Sequence, residues 1–376
     1  MDNRQSILNI LDFYIKASKL KTTLYSKKSD ESYSDHIFGS LLLATLINSE
    51  FRETDNLEKI YRMILLKGMG SLNKDYNYDN LNDRIKFQDE ECEMDEDLTH
   101  YANLANRYTR INFLISNFIN QNKDMSYEDL VKGGSNILSL LLRQDDDKCK
   151  EIFKCYYLNE RLKHSIRTGW DRNHWNISAP RVERISEHVA STMYLVLALK
   201  SEFPHDIDYQ KVLKMLSIHE LGETIIGDIT PFDNITKEEK KEMEHIAIYD
   251  ALGNLTSKEE LYNLLLEFDE GTTKEAKFAH YCDKIDADLQ SKLYEDQGYH
   301  HQLAEQKNNL VFLNPKVQKF VLDGAVTPFD IWFLWDKSIY ENDYDFPEFI
   351  RLLRTVKENN LVKNSEKQKI KMNEDY

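Results

Sequence analysis

The chain has 376 residues and a formal net charge of −16, from 65 acidic and 49 basic residues. This charge disfavours extended nucleic acid as a partner, because binding to a phosphate backbone requires clustered Lys and Arg. No apolar run approaches the ~18 residues of a membrane span, and the chain opens without a signal-peptide pattern. Its four cysteines are too sparse for a disulfide framework, which suits a reducing compartment. We therefore expect a cytoplasmic protein without a membrane anchor.

Helical patterns dominate the chain. It contains only 12 Gly and 6 Pro, its strand-like alternations are short, and long apolar-periodic segments are rich in Leu, Lys and Glu. These features predict an all-α fold. A charged break at 143–148 predicts two tandem helical domains, residues 1–143 and 149–362, followed by a polar, flexible tail at 363–376. The acidic segment 89–97 is expected to be a loop.

The first domain looks like a faded copy of the second. Lys67 follows His36 at the same distance along the chain as His219 follows His188. Four pairs of segments match: residues 14–24 with 156–166, Ser34-Asp35-His36 with Ser186-Glu187-His188, residues 60–70 with 212–222, and residues 100–103 with 280–283. A repeat of ~150 residues implies two similarly folded helical units rather than a solenoid of short repeats.

The first copy has lost most of the polar side chains that the second copy offers. Lys67, Gly68 and Asn103 stand at the positions of His219, Glu220 and Asp283. A lysine ammonium repels a cation, so we expect residues 1–143 to bind no metal and His36 to be a structural histidine at a helix start. We expect this domain to be a packing partner or regulatory domain that imitates a dimer within one chain.

The second copy carries an ordered set of candidate metal ligands in predicted helices. They are His188, His219, Glu220 and Asp283. Imidazole and carboxylate groups can bind a cation that activates water against a phosphate ester. Taken singly, each of these residues has a structural alternative. His188 would be a structural histidine at a helix start, and His219 with Glu220 would be a buried pair that satisfies its own hydrogen bonds. Asp283 would be one charged residue on a helix face, where Asp286 is the rival ligand.

The sequence around these residues resembles the HD-domain metal-dependent phosphohydrolases, and within them the 5′-deoxynucleotidase-like branch. The matching elements are Arg167-Thr168-Gly169-Trp170, Ser186-Glu187-His188, His219-Glu220-Leu221-Gly222-Glu223, Gly227-Asp228-Ile229-Thr230-Pro231 and Asp283-Lys284. The resemblance covers roughly residues 150–350 and implies that the four candidate ligands bind Co²⁺, Mn²⁺ or Mg²⁺. The family has Asp after the second histidine, where this chain has Glu220, so the backbone or the ligand set must adjust.

The resemblance also implies roles for residues around the metal. Glu223 would orient or deprotonate the attacking water, and Asp228 would donate a proton to the leaving sugar oxygen or accept a sugar hydroxyl. Arg167 would contact phosphate oxygens, and Trp170 would pack against sugar or base. The structural alternatives are that Asp228 is a turn aspartate, that Arg167 belongs to a surface ion pair and that Trp170 is a core aromatic residue. The inserted loop 171–180 is expected to reshape the substrate pocket.

These features predict a hydrolase that releases phosphate from nucleoside 5′-monophosphates, and the resemblance favours 2′-deoxyribonucleotides. Two alternatives remain open. One is another nucleotide hydrolase of the same class, acting on a dNTP, an alarmone or a cyclic nucleotide. The other is a non-catalytic nucleotide sensor or scaffold, suggested by the degenerate first copy and by Glu220. The expected partner is a small nucleotide, and the chain is expected to be a monomer that mimics the family dimer, or a homodimer.

Overall fold

The computed structural model describes residues 3–26, 30–70, 95–230, 232–233 and 235–363. These residues form helices and connecting segments, with two isolated β-bridges, Leu24 with Ser32 and Ile166 with Arg184, in place of a sheet. The all-α prediction is confirmed. Residues 89–94 of the expected acidic loop and residues 364–376 of the expected tail lie outside the described part of the chain. No helix in the described ranges is long and apolar enough to cross a bilayer.

The first half is built around one almost fully buried helix. Its described helices are α1 (Asn3–Thr22), α2 (Tyr33–Phe51), α3 (Leu57–Gly70), α4 (Asp95–Gln121) and α5 (Tyr127–Leu142). A capping box between Ser32 and Asp35 starts α2, since each side chain accepts a hydrogen bond from the other residue's backbone amide. Every residue of α2 from Ser34 to Glu50 is buried, so other helices surround it on all sides.

The second half also has a central buried helix and contains more elements. Its helices are α6 (Asp146–Asn159), α7 (Ile185–Glu202), α8 (Tyr209–Ile218), α9 (Glu223–Ile226), α10 (Lys237–Ala251), α11 (Lys258–Glu270), α12 (Lys274–Asp296), α13 (Leu310–Leu313), α14 (Pro315–Leu322), α15 (Pro328–Tyr340) and α16 (Glu348–Glu358). The Asp145 carboxylate caps α6 by accepting from the amides of Asp147 and Lys148. The charged break at 143–148 is therefore a helix boundary, as its pattern predicts.

The opening helix of each half packs against the other half. α1 packs chiefly on α7 in the second half, whereas α6 packs on α5 and α2 in the first. The central helices α2 and α7 also pack on each other. Buried apolar residues from Ile7 to Leu361 consequently form one continuous core. The division into domains at 1–143 and 149–362 remains a prediction from the sequence.

Two features of the second half position the residues of the candidate site. α12 packs against α7, α8 and α15, so residues on its surface meet three other helices. A smaller apolar cluster, separate from the main core, joins Trp170 and Trp175 to Tyr294, Val317 and Ile331. This cluster forms the wall of the cavity described below.

Candidate metal centre and active site

The four predicted ligands come together although they are far apart in the sequence. His188, His219, Glu220 and Asp283 each offer one ligand atom, and these atoms lie within 4.8 Å of one another. His188 Nε2 lies 2.8 Å from Asp283 Oδ1 and 3.6 Å from Glu220 Oε1. His219 Nε2 lies 3.4 Å from Glu220 Oε1 and 3.8 Å from Asp283 Oδ1. Ligands about 2.1 Å from an octahedral ion lie roughly 3.0 Å apart when adjacent and roughly 4.2 Å apart when opposite, so these spacings suit one divalent cation.

Hydrogen bonds behind the two imidazoles also fit a metal. Nδ1–H of His188 can donate to Asp286 Oδ2 at 2.6 Å, and Nδ1–H of His219 can donate to the Leu216 carbonyl oxygen at 2.8 Å. Both contacts direct Nε2 towards the other candidate ligands, the arrangement typical of metal-binding histidines. Nε2 of His188 is 2.8 Å from Asp283 Oδ1. His219 Nε2 is buried and has no hydrogen-bond partner. A cation would satisfy this buried polar atom, which is otherwise costly.

The His219–Glu220 pair lies in a turn, so the prediction that it lies in a helix is wrong. α8 ends at Ile218, and the Leu221 amide donates to the Ile218 carbonyl oxygen instead of continuing the α-helical pattern. α9 begins only at Glu223. The longer Glu220 side chain therefore reaches the cluster from a turn, whose backbone is less constrained than that of a helix interior.

The rival ligand Asp286 lies on the other side of His188. Glu183, His188 and Asp286 form a second group of metal-ligand type, but the ammonium group of Lys21 already lies against it. Lys21 Nζ pairs with Glu183 and is 3.9 Å from Asp286 Oδ2. This second group is a buried ion network, and Asp283 is the aspartate that faces the other three candidate ligands.

The first half offers no comparable cluster among the described residues, where both groups of potential metal ligands include His188. The His36 ring stacks on Tyr25 with 3.8 Å between ring centroids, and its Nδ1 contacts Asn112 Nδ2 at 3.0 Å. These contacts match Asn112 with Asp286, three residues after Asp283. The predicted match of Asn103 with Asp283 stays a prediction from the sequence.

A cavity of about 340 Å³ opens beside the ligand cluster, within the usual size of small-molecule pockets. His219, Glu220 and Asp283 line it together with other residues predicted from the sequence. Those others are Arg167, Trp170, Glu223 and Asp228. The structure thus brings every predicted site residue except the fully buried His188 to the wall of one cavity, and His188 lies directly behind Asp283.

Arg167 contributes a positive charge to the cavity wall. Its Nη1 is buried and has no hydrogen-bond partner. Burial opposes its charge, but the carboxylates of Asp228 and Glu220 raise the pKa of Arg167 above its ordinary value, so the guanidinium stays ionised. Asp228 Oδ2 accepts a hydrogen bond from the Thr168 amide at 2.7 Å, which fastens the loop after α9 to the segment that carries Arg167.

Glu223 is the carboxyl group best suited to accept a proton. It occupies the first turn of α9, lines the cavity and is only partly buried. Desolvation, followed by the nearby carboxylates of Glu220 and Asp228, raises the pKa of Glu223 well above its ordinary value. A carboxylate whose conjugate acid has a raised pKa is a stronger base, which favours Glu223 as the proton acceptor.

Trp170 is buried and also borders the cavity. It is 2% exposed, its Nε1–H donates to Glu183 Oε2 at 2.8 Å, and its ring contacts Trp332 with 5.6 Å between centroids. It is a core aromatic residue whose remaining surface lines the cavity. The inserted loop adds Trp175 to this wall, and His174 ties the loop to Thr230 Oγ1 at 3.2 Å.

Several cavity residues were not predicted from the sequence. Lys240, Lys284, Trp332, Trp335 and Asp336 all line the cavity. Lys284 follows Asp283 directly, so the Asp-Lys pair contained a signal for it. The other four have none, because local sequence around α10 and α15 does not show which face meets a distant turn.

Comparison with known proteins agrees with this geometry. Residues 159–319, which include all four candidate ligands, match the family model described as HD domain. The chain is 34% identical over 167 residues to 5′-deoxynucleotidase HDDC2 of Dictyostelium discoideum, covering 43% of this chain and 85% of that protein. It is 34% identical over 141 residues to 5′-deoxynucleotidase hdd1 of Schizosaccharomyces pombe, covering 36% and 68%. For human 5′-deoxynucleotidase HDDC2, identity is 32% over 138 residues, covering 36% and 64%. The chain therefore belongs to the HD-domain family, in its 5′-deoxynucleotidase-like branch.

Proposed function

We propose that this protein is a metal-dependent phosphomonoester hydrolase that releases phosphate from nucleoside 5′-monophosphates, with 2′-deoxyribonucleotides as the favoured substrates. The observation that carries the proposal is the convergence of four candidate ligand atoms within 4.8 Å, beside a cavity lined by Arg167, whose buried Nη1 has no hydrogen-bond partner. The names of its relatives, which are 5′-deoxynucleotidases, support the choice of substrate.

His188, His219, Glu220 and Asp283 would bind the divalent cation. Two imidazoles in the ligand set favour Co²⁺ or Mn²⁺ over Mg²⁺, which prefers an all-oxygen environment. When bound, the ion would supply Lewis-acid activation of water and of a phosphate oxygen. The protein's part is to fix the ligands and to place the substrate beside them.

The side chains around the cluster divide the remaining work. Arg167 binds phosphate oxygens through its planar guanidinium, a group suited to two parallel hydrogen bonds. Glu223 takes a proton from the attacking water, for which its raised pKa is suited. Asp228, held by the Thr168 amide next to Arg167, donates a proton to the leaving 5′ oxygen or accepts a hydrogen bond from a sugar hydroxyl.

Three cationic side chains line the cavity among seven acidic ones, so binding of a phosphorylated substrate would depend on these cations together with a bound metal ion. Lys240 and Lys284 line the cavity with Arg167, although the whole chain carries a net charge of −16. Charges that line a low-dielectric cleft act more strongly on a bound anion than screened charges on the outer surface. The aromatic wall of Trp170, Trp175 and Trp332 provides an apolar surface for the nucleoside.

A panel of nucleotides tests the proposal. Metal-stripped full-length protein is supplied with Co²⁺, Mn²⁺ or Mg²⁺ and incubated with deoxynucleoside and nucleoside 5′-monophosphates, a dNTP and a cyclic nucleotide, and the products are read by phosphorus NMR. The proposal predicts inorganic phosphate from 5′-monophosphates, fastest from the deoxy series. Release of triphosphate or pyrophosphate would instead favour another nucleotide hydrolase. Metal binding without turnover of any nucleotide would favour a sensor or scaffold.

A further inference from the structure

Helix α1 places two polar side chains directly behind the candidate metal ligand His188. Tyr14 is fully buried, and its Oη donates to Asp286 Oδ1 at 2.8 Å. Lys21, 4% exposed, pairs with Glu183 and donates to Gln290 Oε1 at 2.9 Å. Both residues belong to the first half of the chain and both approach the second half's site, because α1 packs on α7.

Asp286 is the link between these residues and the metal centre. Its Oδ2 accepts from His188 Nδ1 at 2.6 Å, while its Oδ1 accepts from Tyr14 and from Ser191 Oγ at 2.6 Å. With donors on both oxygens, this carboxylate has one orientation. A fixed carboxylate behind an imidazole sets its tautomer and direction and increases its basicity as a ligand.

We propose that Tyr14 and Lys21 are positioning residues for the metal centre, acting through Asp286 on His188. The inference rests on the metal centre of the proposed function. It gives the first half a defined role: its opening helix completes the outer coordination environment of a site whose ligands all lie in the second half. A protein without α1 would keep the four ligands but lose the support behind one of them.

The opening helix of the second half, α6, makes a similar arrangement in the first half, with Asn112 in place of an aspartate. Tyr156 Oη donates to Asn112 Oδ1 at 2.6 Å, and Asn112 contacts His36. Lys163 Nζ is 3.3 Å from the Tyr156 hydroxyl oxygen. Tyr156 and Lys163 are the sequence counterparts of Tyr14 and Lys21. Asn112 thus contacts Nδ1 of His36 as Asp286 contacts Nδ1 of His188, and a carboxylate, that of Glu31, also lies 3.7 Å from His36 Nδ1. What distinguishes the two networks is that only His188 faces further candidate metal ligands among the described residues.

These two networks provide a matched pair of variants for the full-length protein. Tyr14→Phe removes one hydroxyl and keeps the ring, and Tyr156→Phe makes the same change in the network without ligands. We measure the dissociation constant of Co²⁺ by isothermal titration calorimetry, the visible spectrum of the bound Co²⁺, and thermal unfolding of the metal-free proteins. Loss of an outer-shell partner costs 10–100-fold in metal affinity, so Tyr14→Phe, one bond further out, should weaken Co²⁺ binding by roughly tenfold. Tyr156→Phe should leave the affinity within about twofold of the parent value.

Equal Co²⁺ affinity and equal spectra for the two folded variants would overturn the proposal and leave Tyr14 with a packing role. If Tyr14→Phe does not fold, Lys21→Gln tests the same path, with Lys163→Gln as its counterpart. The metal readout separates this inference from the proposed function. A parent protein that binds one ion but releases no phosphate would contradict the hydrolase, whereas the comparison of affinities would still decide the role of α1.

Discussion

The Nδ1–H of His219 points at the carbonyl oxygen of Leu216, 2.8 Å away in the preceding turn. This contact assigns the ring's proton to Nδ1 and leaves Nε2, which is buried without a partner, directed at Glu220 and Asp283. A histidine presented in this way has an unshared electron pair inside a cluster of acidic groups. Such a cluster is more stable with a cation than without one, because the carboxylates would otherwise repel each other.

Replacing the proposed general base should separate catalysis from metal binding. Glu223→Gln keeps the size of the side chain but cannot accept a proton, so kcat should fall by about 10²–10⁴-fold. Metal content should not change, since Glu223 is outside the ligand cluster. The exposed Glu242→Gln on α10 is the control. An unchanged kcat for Glu223→Gln would remove this residue from the mechanism.

Arg167→Lys should weaken substrate binding while the charge is kept. A lysine cannot make the two parallel hydrogen bonds of a guanidinium, and a hydrogen bond to a charged group contributes about 1.5–3 kcal/mol. KM for a 5′-monophosphate should therefore rise by about 10–100-fold, measured by initial rates at saturating metal. If KM stays the same and only stability changes, Arg167 is a structural partner of Asp228.

The resembling family has aspartate at the position of Glu220. Because Glu220 lies in a turn, replacing it with aspartate tests whether the backbone is placed for the longer side chain. Glu220→Asp shortens the side chain by about one 1.5 Å bond, whereas metal–ligand distances are fixed to about ±0.2 Å. With the backbone placed for glutamate, Co²⁺ affinity should fall by at least about tenfold. Calorimetric titration gives this value. An aspartate variant that binds Co²⁺ as tightly as the parent would show that the turn adapts.

The pH dependence of stability should reveal a buried acid on α15. Burial, opposed by Lys284, raises the pKa of Asp336 to about 6 from an ordinary value of 3.8. Between these values the folded state retains a proton that the unfolded state releases, so the wild-type carboxyl destabilises the fold as pH rises towards and beyond 6. Asp336→Asn does not titrate, and its stability relative to wild type should increase between pH 4.5 and 7.5 by about 2 kcal/mol.

Urea unfolding of the metal-free proteins at the two pH values checks this difference. The exposed Asp323→Asn serves as the control, and its effect should be the same at both pH values. If the effect of Asp336→Asn is also independent of pH, the Asp336 carboxyl is ionised in the fold throughout this range.

The sequence predicted the parts of the site that depend on local motifs. The all-α class followed from helical periodicity, and the ligands followed from the short motifs around His188, His219 and Asp283. The placement of the His219–Glu220 pair was wrong, because an apolar run predicts that a helix exists better than it predicts the residue at which the helix ends. Likewise, local similarity did not indicate that Asn112 contacts His36, because contacts between helices decide which residue lies there.

The remaining features depend on packing between distant segments. Nothing in residues 3–22 indicates that α1 packs on α7, since an apolar helix face fits many partners. The same is true of Trp332 and Asp336, whose helix forms the cavity wall through its contact with α12. Such long-range arrangements require coordinates.

The most direct test of the central claim is the metal content of two variants after equilibrium dialysis against Co²⁺. His219→Ala removes a candidate ligand, and Lys67→Ala makes a change at the matching position of the first half. We predict one bound Co²⁺ per chain for the parent protein and for Lys67→Ala, and none for His219→Ala. A His219→Ala protein that keeps one tightly bound ion, or a parent protein that binds none, would contradict the assignment of this cluster as the metal centre.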